Sequence, residues 1–404
     1  MSRRSLFATV ATMAFVLMGV APSTPAGAVV NTVTIVPSPN AGPGNNTLVS
    51  VSCVSATSCT AVGYYVDGST SKSLVQVWNG SSWSIVSTPN AGSGANALLS
   101  VSCATSTSCT AVGFYNDGSN DKSLIQTTTD GTNWTIVPSP NPTGSDVRLI
   151  SVTCVSTSSC TAVGYSAIGP TYQTLIETTT DGTNWAIMSS PNARTFDVLY
   201  SVSCFSAASC TAVGWSKAGT TEYALIEKWN GSTWAIVSSP STANSLNELF
   251  SVSCVSASSC TAVGYHGEES NYRTLIETTT DGTNWTIVPS PNPGTYSNLY
   301  SVSCVSASSC TAVGFFGNDP VFRTLVVVWD GSSWSVVPSP NASDNNNALG
   351  SVSCVSASSC TATGYFHSSS DRTLVMTLTR VEPTPTTSTT TTVGPEPVAP
   401  TFTG

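Results

Sequence analysis

The chain has 404 residues, of which only 8% are charged, with 12 Lys and Arg against 21 Asp and Glu and a formal net charge of -9. That balance excludes the basic stripe with which a protein neutralises nucleic-acid phosphates. Its fabric is Ser, Thr, Val, Gly and Asn, rich in strand and turn formers and poor in helix formers, so the chain reads as all-β.

At the N-terminus, Ser2-Arg3-Arg4 precedes an apolar run from Leu6 to Val20 that ends in Ala26-Gly27-Ala28. This is the pattern of a secretory signal and its cleavage site, too short to span a bilayer comfortably. Residues 1–28 are assigned to a signal peptide on the general secretory route, in preference to the twin-arginine route that "SRRSLF" also resembles. The mature chain is expected outside the cell, with no transmembrane segment.

From residue 29 to 381 the sequence repeats. First cysteines stand at Cys53, Cys103, Cys154, Cys204, Cys254, Cys304 and Cys354, a period of 50 with one step of 51, the mark of a propeller or a solenoid. Each copy offers four short strands, such as "LYSVSC", "CTAVGY", "TLIETTT" and "WTIVPSP". Four antiparallel strands make a propeller blade, so a seven-bladed β-propeller is expected. The last copy stops at Val381 without a fourth strand. "VTIVPSPN" at Val33 to Asn40 matches "WTIVPSPN" at Trp285 to Asn292 in all but one residue. The N-terminal strand is therefore expected to complete the last blade and close the ring, where a linear solenoid would leave exposed edges.

The 14 cysteines always occur as C-x5-C, which in an exported chain reads as a disulfide set. The expected pairs are Cys53–Cys59, Cys103–Cys109, Cys154–Cys160, Cys204–Cys210, Cys254–Cys260, Cys304–Cys310 and Cys354–Cys360. Metal ligation lacks partners, because there is no C-x-x-C and His266 and His367 are the only histidines. No metal and no cofactor is expected. Residues 382–404 are Pro and Thr with little to bury, a tail or linker that would associate the protein with a cell envelope.

"TTTDGTNW" at Thr127 to Trp134, Thr178 to Trp185 and Thr278 to Trp285, together with the preceding "AVG" strand, resembles the Asp-box repeat of sialidase-like (BNR) propellers and of the Ycf48-type photosystem assembly factors. Asp130 and Trp134 are four apart, one fewer than in that family. The resemblance implies a structural role at hairpin turns, with the Trp ring on a neighbouring strand and its N–H outward. It also implies that a sialidase would need converging arginines and a Tyr/Glu nucleophile pair. Arg273, Arg323 and Arg372 instead occupy one repeat position, which spreads them around a ring, and no Tyr beside a Glu stands out.

What varies between copies points to a site. The segments between second and third strands, "YSAIGPTYQ", "WSKAGTTEY", "YHGEESNYR" and "FFGNDPVFR" among them, keep their length while their chemistry drifts. They share one face with the loops that lead to the next blade, and the cysteine hairpins and Asp-Gly turns share the other. Aromatics directly after the strand glycine, such as Tyr265 and Phe315, read as blade packing. Tyr172, Tyr223, Tyr272 and Phe322, with Glu268 and Asp319, read as exposed loop residues that contact a ligand. The function expected is a secreted, monomeric, non-catalytic binding or display propeller whose ligand is a glycan or a protein. The alternative is a sialidase-like glycoside hydrolase.

Overall fold

The computed structural model describes residues 30–381 apart from 143–144, 243–245, 269–270 and 319, so the expected signal peptide and tail lie outside the described residues. Each repeat forms an antiparallel meander, in the fifth copy Leu246–Cys254, Cys260–Glu268, Asn271–Thr279 and Thr286–Ile287. The inner strands are covered on both faces by neighbouring sheets. They therefore carry continuous buried runs, such as Thr274 to Glu277, rather than alternation. Among the described residues there is no helix, and none long and apolar enough to cross a membrane.

Five sheets have four strands, and one of eight strands joins the third and fourth meanders through a single parallel pair, Tyr172 and Phe196. The strand Val30–Val36 lies beside Asp371–Val381 in the sheet of the last repeat. Hydrophobic clusters form between successive meanders. Val263 and Ile276 of the fifth pack with Leu299, Leu325 and Trp334 of the sixth, and Leu48 and Leu74 of the first pack with Val375 of the seventh.

The two serines of "SVSC" do as much as the cysteine. First strands of adjacent repeats share no ladder, so their N–H groups need another acceptor. Val101 N donates to Ser50 Oγ, Val152 N to Ser100, Val202 N to Ser151, Val252 N to Ser201, Val302 N to Ser251 and Val352 N to Ser301, all at 3.1–3.2 Å. Val51 N donates to Ser351 Oγ in the same way. The second serine repeats the device one step on, as where Cys304 N donates to Ser253 Oγ at 3.0 Å.

All seven expected disulfides are present, each joining directly opposed residues at the hairpin between first and second strands. Closing a loop of this size stabilises by about 2 to 2.5 kcal/mol per bridge in the chain-entropy model. Two expectations need correction. The ladder runs through the segments read as loops, so that Glu268 pairs with Asn271 and Ala218 with Thr221. Strand formers on both sides and a positive-φ glycine such as Gly219 let the hairpin close in two residues. The turn tryptophans, moreover, are core residues. Trp134, Trp185, Trp285 and Trp334 are buried with an unpartnered N–H rather than one facing outward. Asp130 organises that turn, accepting from the backbone N–H groups of Thr132 and Asn133 at 2.9 and 2.7 Å, which holds its carboxyl far below the usual range.

In the first five copies a buried polar position on the third strand binds the meander to the segment before it, where the last two carry Val327 and Met376. Gln76 and Gln126 donate through Nε2 to the carbonyls of Pro39 and Pro89 at 2.8 and 2.9 Å. Glutamates occupy the same place in the next three copies, and Glu177, Glu227 and Glu277 are fully buried. Each accepts from one serine hydroxyl, Ser139, Ser190 or Ser239. Burial pushes their pKa up from 4.5 to about 7, 8 and 8, against that hydrogen bond. The second oxygens of Glu177 and Glu227 have no partner as carboxylates. A proton there reproduces the amide donor of Gln76.

At these three glutamates the folded chain therefore keeps protons that the unfolded chain releases near 4.5. The stabilisation is complete below that value and is lost as pH rises toward 8. The expected result is a melting temperature that falls between about pH 5 and about pH 9, and falls much less in the triple variant Glu177→Gln, Glu227→Gln, Glu277→Gln. Equal slopes for the two proteins in calorimetry would contradict this account.

Candidate functional site

The variable segments gather at the end of the sheets opposite the disulfides, because the first strand enters where the second-to-third hairpin turns. The expected ligand residues lie on strands there. Tyr172 is 37% exposed, with Tyr165 and Phe196 at 5.2 and 5.7 Å between ring centroids. Tyr223 is half-buried beneath the Arg194 guanidinium, 4.0 Å from its ring. Tyr272 and Phe322 are half-buried too, and Glu268 is exposed at a strand end. Asp319 lies outside the described residues.

The structure joins the two aromatic series that the sequence kept apart. Phe250, Tyr265, Tyr272, Tyr296, Phe322, Phe315 and Tyr300 form a closed circuit in which each ring meets the next at 4.8–6.1 Å. Tyr200 extends it, 5.1 Å from Phe250. All are partly exposed, so the fifth and sixth repeats present one continuous aromatic surface.

Inward, this surface becomes the wall of a cavity of about 510 Å³. Every repeat contributes the residue at one equivalent position: Val49, Leu99, Ile150, Tyr200, Phe250, Tyr300 and Gly350. Each sits at a β-bulge in its first strand, as where the ladder skips Phe250 between Leu249 and Ser251. The "AVG" glycine faces that bulge. A Cβ on Gly264 would collide with the Glu248 carbonyl, which is why glycine recurs at this place. Sequence reasoning missed the cavity residues because they stand inside a strand pattern. The available signal was the one changing letter between an otherwise constant Leu and "SVSC" in most copies.

Beside the cavity, the ladder pairs Glu248 with Tyr265, and the Tyr265 hydroxyl donates to Glu248 Oε1 at 2.7 Å. Burial first, then a hydrogen bond to Glu222, pushes the Glu248 carboxyl up, while Lys217 bonds Glu222 at 2.7 Å. Burial and the Glu248 charge push the Tyr265 hydroxyl up as well, so it keeps its proton. This is a Tyr/Glu pair absent from the sequence reading, with the phenol held as a donor rather than prepared as a nucleophile. The arginines stay apart. Arg148 bonds Asp121, Arg194 bonds Ser216, Arg323 the Ser343 carbonyl and Arg372 the Gly42 carbonyl.

No family model matches the sequence, and no curated protein matches it. Among solved structures, "YCF48 bound to D1 peptide" is similar at TM-score 0.54 and 11% identity, over 86% of this chain and 96% of that one. YCF48 from Cyanidioschyzon merolae is similar at TM-score 0.52 and 13% identity, over 85% of this chain and 98% of that one. The fold is thus a β-propeller like that of YCF48.

Because Tyr272 and Phe322 are members of a packed circuit, their removal is expected to cost stability. Tyr272→Ala or Phe322→Ala should destabilise by about 2 to 4 kcal/mol, from lost burial and ring pairing. Glu268→Ala should leave the melting curve in place. Denaturant unfolding of the three variants checks this, and an unperturbed Tyr272→Ala would break the circuit argument.

Proposed function

We propose that the chain is a secreted, monomeric, non-catalytic binding module, a closed seven-bladed β-propeller over residues 29–381, whose variable end meets a protein partner. The aromatic circuit carries this reading. It is a broad, partly exposed surface of rings without a convergent charged centre, and aromatic anchors dominate protein recognition. YCF48, which shares the fold, is seen with a peptide bound. Tyr223, Tyr272 and Phe322, with Tyr172 at the side, remain the proposed contact residues.

Ring closure is supported by the strand Val30–Val36 beside Asp371–Val381 and by the Val51 to Ser351 hydrogen bond. Seven disulfides favour an oxidising compartment and hence export. A glycan is the second candidate ligand, since sugars also stack on aromatic rings. The hydrolase reading retains only the Tyr265 and Glu248 pair in its favour.

Deletion of residues 31–40 should bare the edge of the last blade, so the product is expected to aggregate or to melt far lower. A monomeric product with an unchanged melting curve would argue against closure. For the site, a random peptide library and a glycan array are offered in parallel to the oxidised chain and to Tyr223→Ser. Peptides whose binding is lost in that variant support the reading, whereas glycan binding alone, or peptides seated at the disulfide end, overturn the protein-partner proposal.

A further inference from the structure

The seven bulge residues give the cavity an uneven wall. Tyr200, Phe250 and Tyr300 form an arc on one side, with successive rings at 5.1 and 5.4 Å. In the last repeat the position is Gly350, where an added Cβ would find nothing nearer than the Val49 carbonyl oxygen at 3.5 Å. A gap therefore opens beside Tyr300, bounded by Asn346, Asn347 and Tyr365.

Chemistry narrows what this space can hold. Among the described residues that line it there is no Lys, Arg or His, so an anion has no counter-charge. Of its amide side chains, Asn347 is engaged through both polar atoms and Asn346 through its oxygen. Asn346 Oδ1 accepts from Phe322 N at 3.0 Å, and Asn347 accepts from Ala342 N at 2.8 Å while donating to the Asn345 carbonyl at 2.6 Å. A sugar would bring many hydroxyls to a wall made mostly of rings and aliphatic side chains, with few polar partners for them. A cation that makes no hydrogen bonds has no such need, and ring faces attract it. The chain as a whole is acidic, with a net charge of -9, which favours a cation over an anion.

We propose that the cavity binds a quaternary ammonium group against Tyr200, Phe250 and Tyr300, with its carrier leaving through the gap at Gly350. This rests on the reading of the chain as a binding module and gives it a ligand chemistry. The carrier is either a free small molecule or a methylated lysine side chain of the partner.

The oxidised chain is titrated by saturation-transfer NMR with choline and with 3,3-dimethylbutan-1-ol, its uncharged isostere. Choline is expected to bind at least roughly fivefold more tightly, the discrimination that ring faces provide for a cation. Phe250→Leu and Gly350→Leu both copy Leu99 of the second repeat, so both should fold with intact disulfides, Gly350→Leu with an unchanged melting transition and Phe250→Leu with one lowered by its lost ring contacts. Each is expected to weaken choline binding at least roughly fivefold, the first by removing a ring face and the second by filling the gap. Displacement of choline by an Nε-trimethyl-lysine peptide assigns the group to a protein, and choline that resists displacement assigns it to a small molecule; both uphold the cation site. Equal binding of the two probes, choline binding indifferent to both substitutions, or no binding of either probe overturns it. The last of these leaves the peptide-selection result, and with it the binding-module reading, untouched.

Discussion

The fold depends on how one sheet meets the next. First strands of neighbouring blades come close without sharing a ladder, and a serine hydroxyl on each accepts the backbone N–H of the next, as from Ser50 to Val101 and from Ser301 to Val352. Each such bond contributes about 1 kcal/mol net, but an orphaned N–H there would cost more than the bond gains. A serine side chain is short, so the strands must approach within its reach. That requirement propagates outward: second strands carry Ala and Val at the interface, with Ala262 and Val263 wholly buried, and the tryptophan of the fourth strand fills the widening gap.

The same strand creates the freedom that the molecule uses. One residue past the constant leucine, the bulge turns a side chain out of the ladder and into the cavity, and a glycine opposite makes room for the carbonyl that the bulge displaces. This side chain lies outside the hydrophobic clusters between sheets, so it ranges from Gly350 to Phe250 while those clusters keep their composition. Diversity at the cavity and uniformity between blades thus come from a single backbone irregularity.

The third-strand polar position shows the same economy in another form. Gln126 and Glu177 stand in equivalent places, one a permanent donor and the other a donor only when protonated. Near neutrality the interface accepts either, and alkaline conditions separate them. Stability is thereby tied to pH through residues buried between the sheets.

The sequence by itself determined the repeat, the four strands per copy, the seven disulfides and the end of the sheets on which variation collects. These follow from period, alternation and residue pairs six apart, all of which are local along the chain. It placed Tyr272 and Phe322 at the right end but on loops, and kept them apart from Tyr265 and Phe315, since which rings touch depends on strand register. It gave no sign that Glu248 faces Tyr265, because ladder partners 17 residues apart are set by a bulge that no periodicity announces. Only the tertiary structure brought seven scattered letters, one in each copy, to the wall of one cavity: side chains 50 residues apart become neighbours when each sheet is laid against the last.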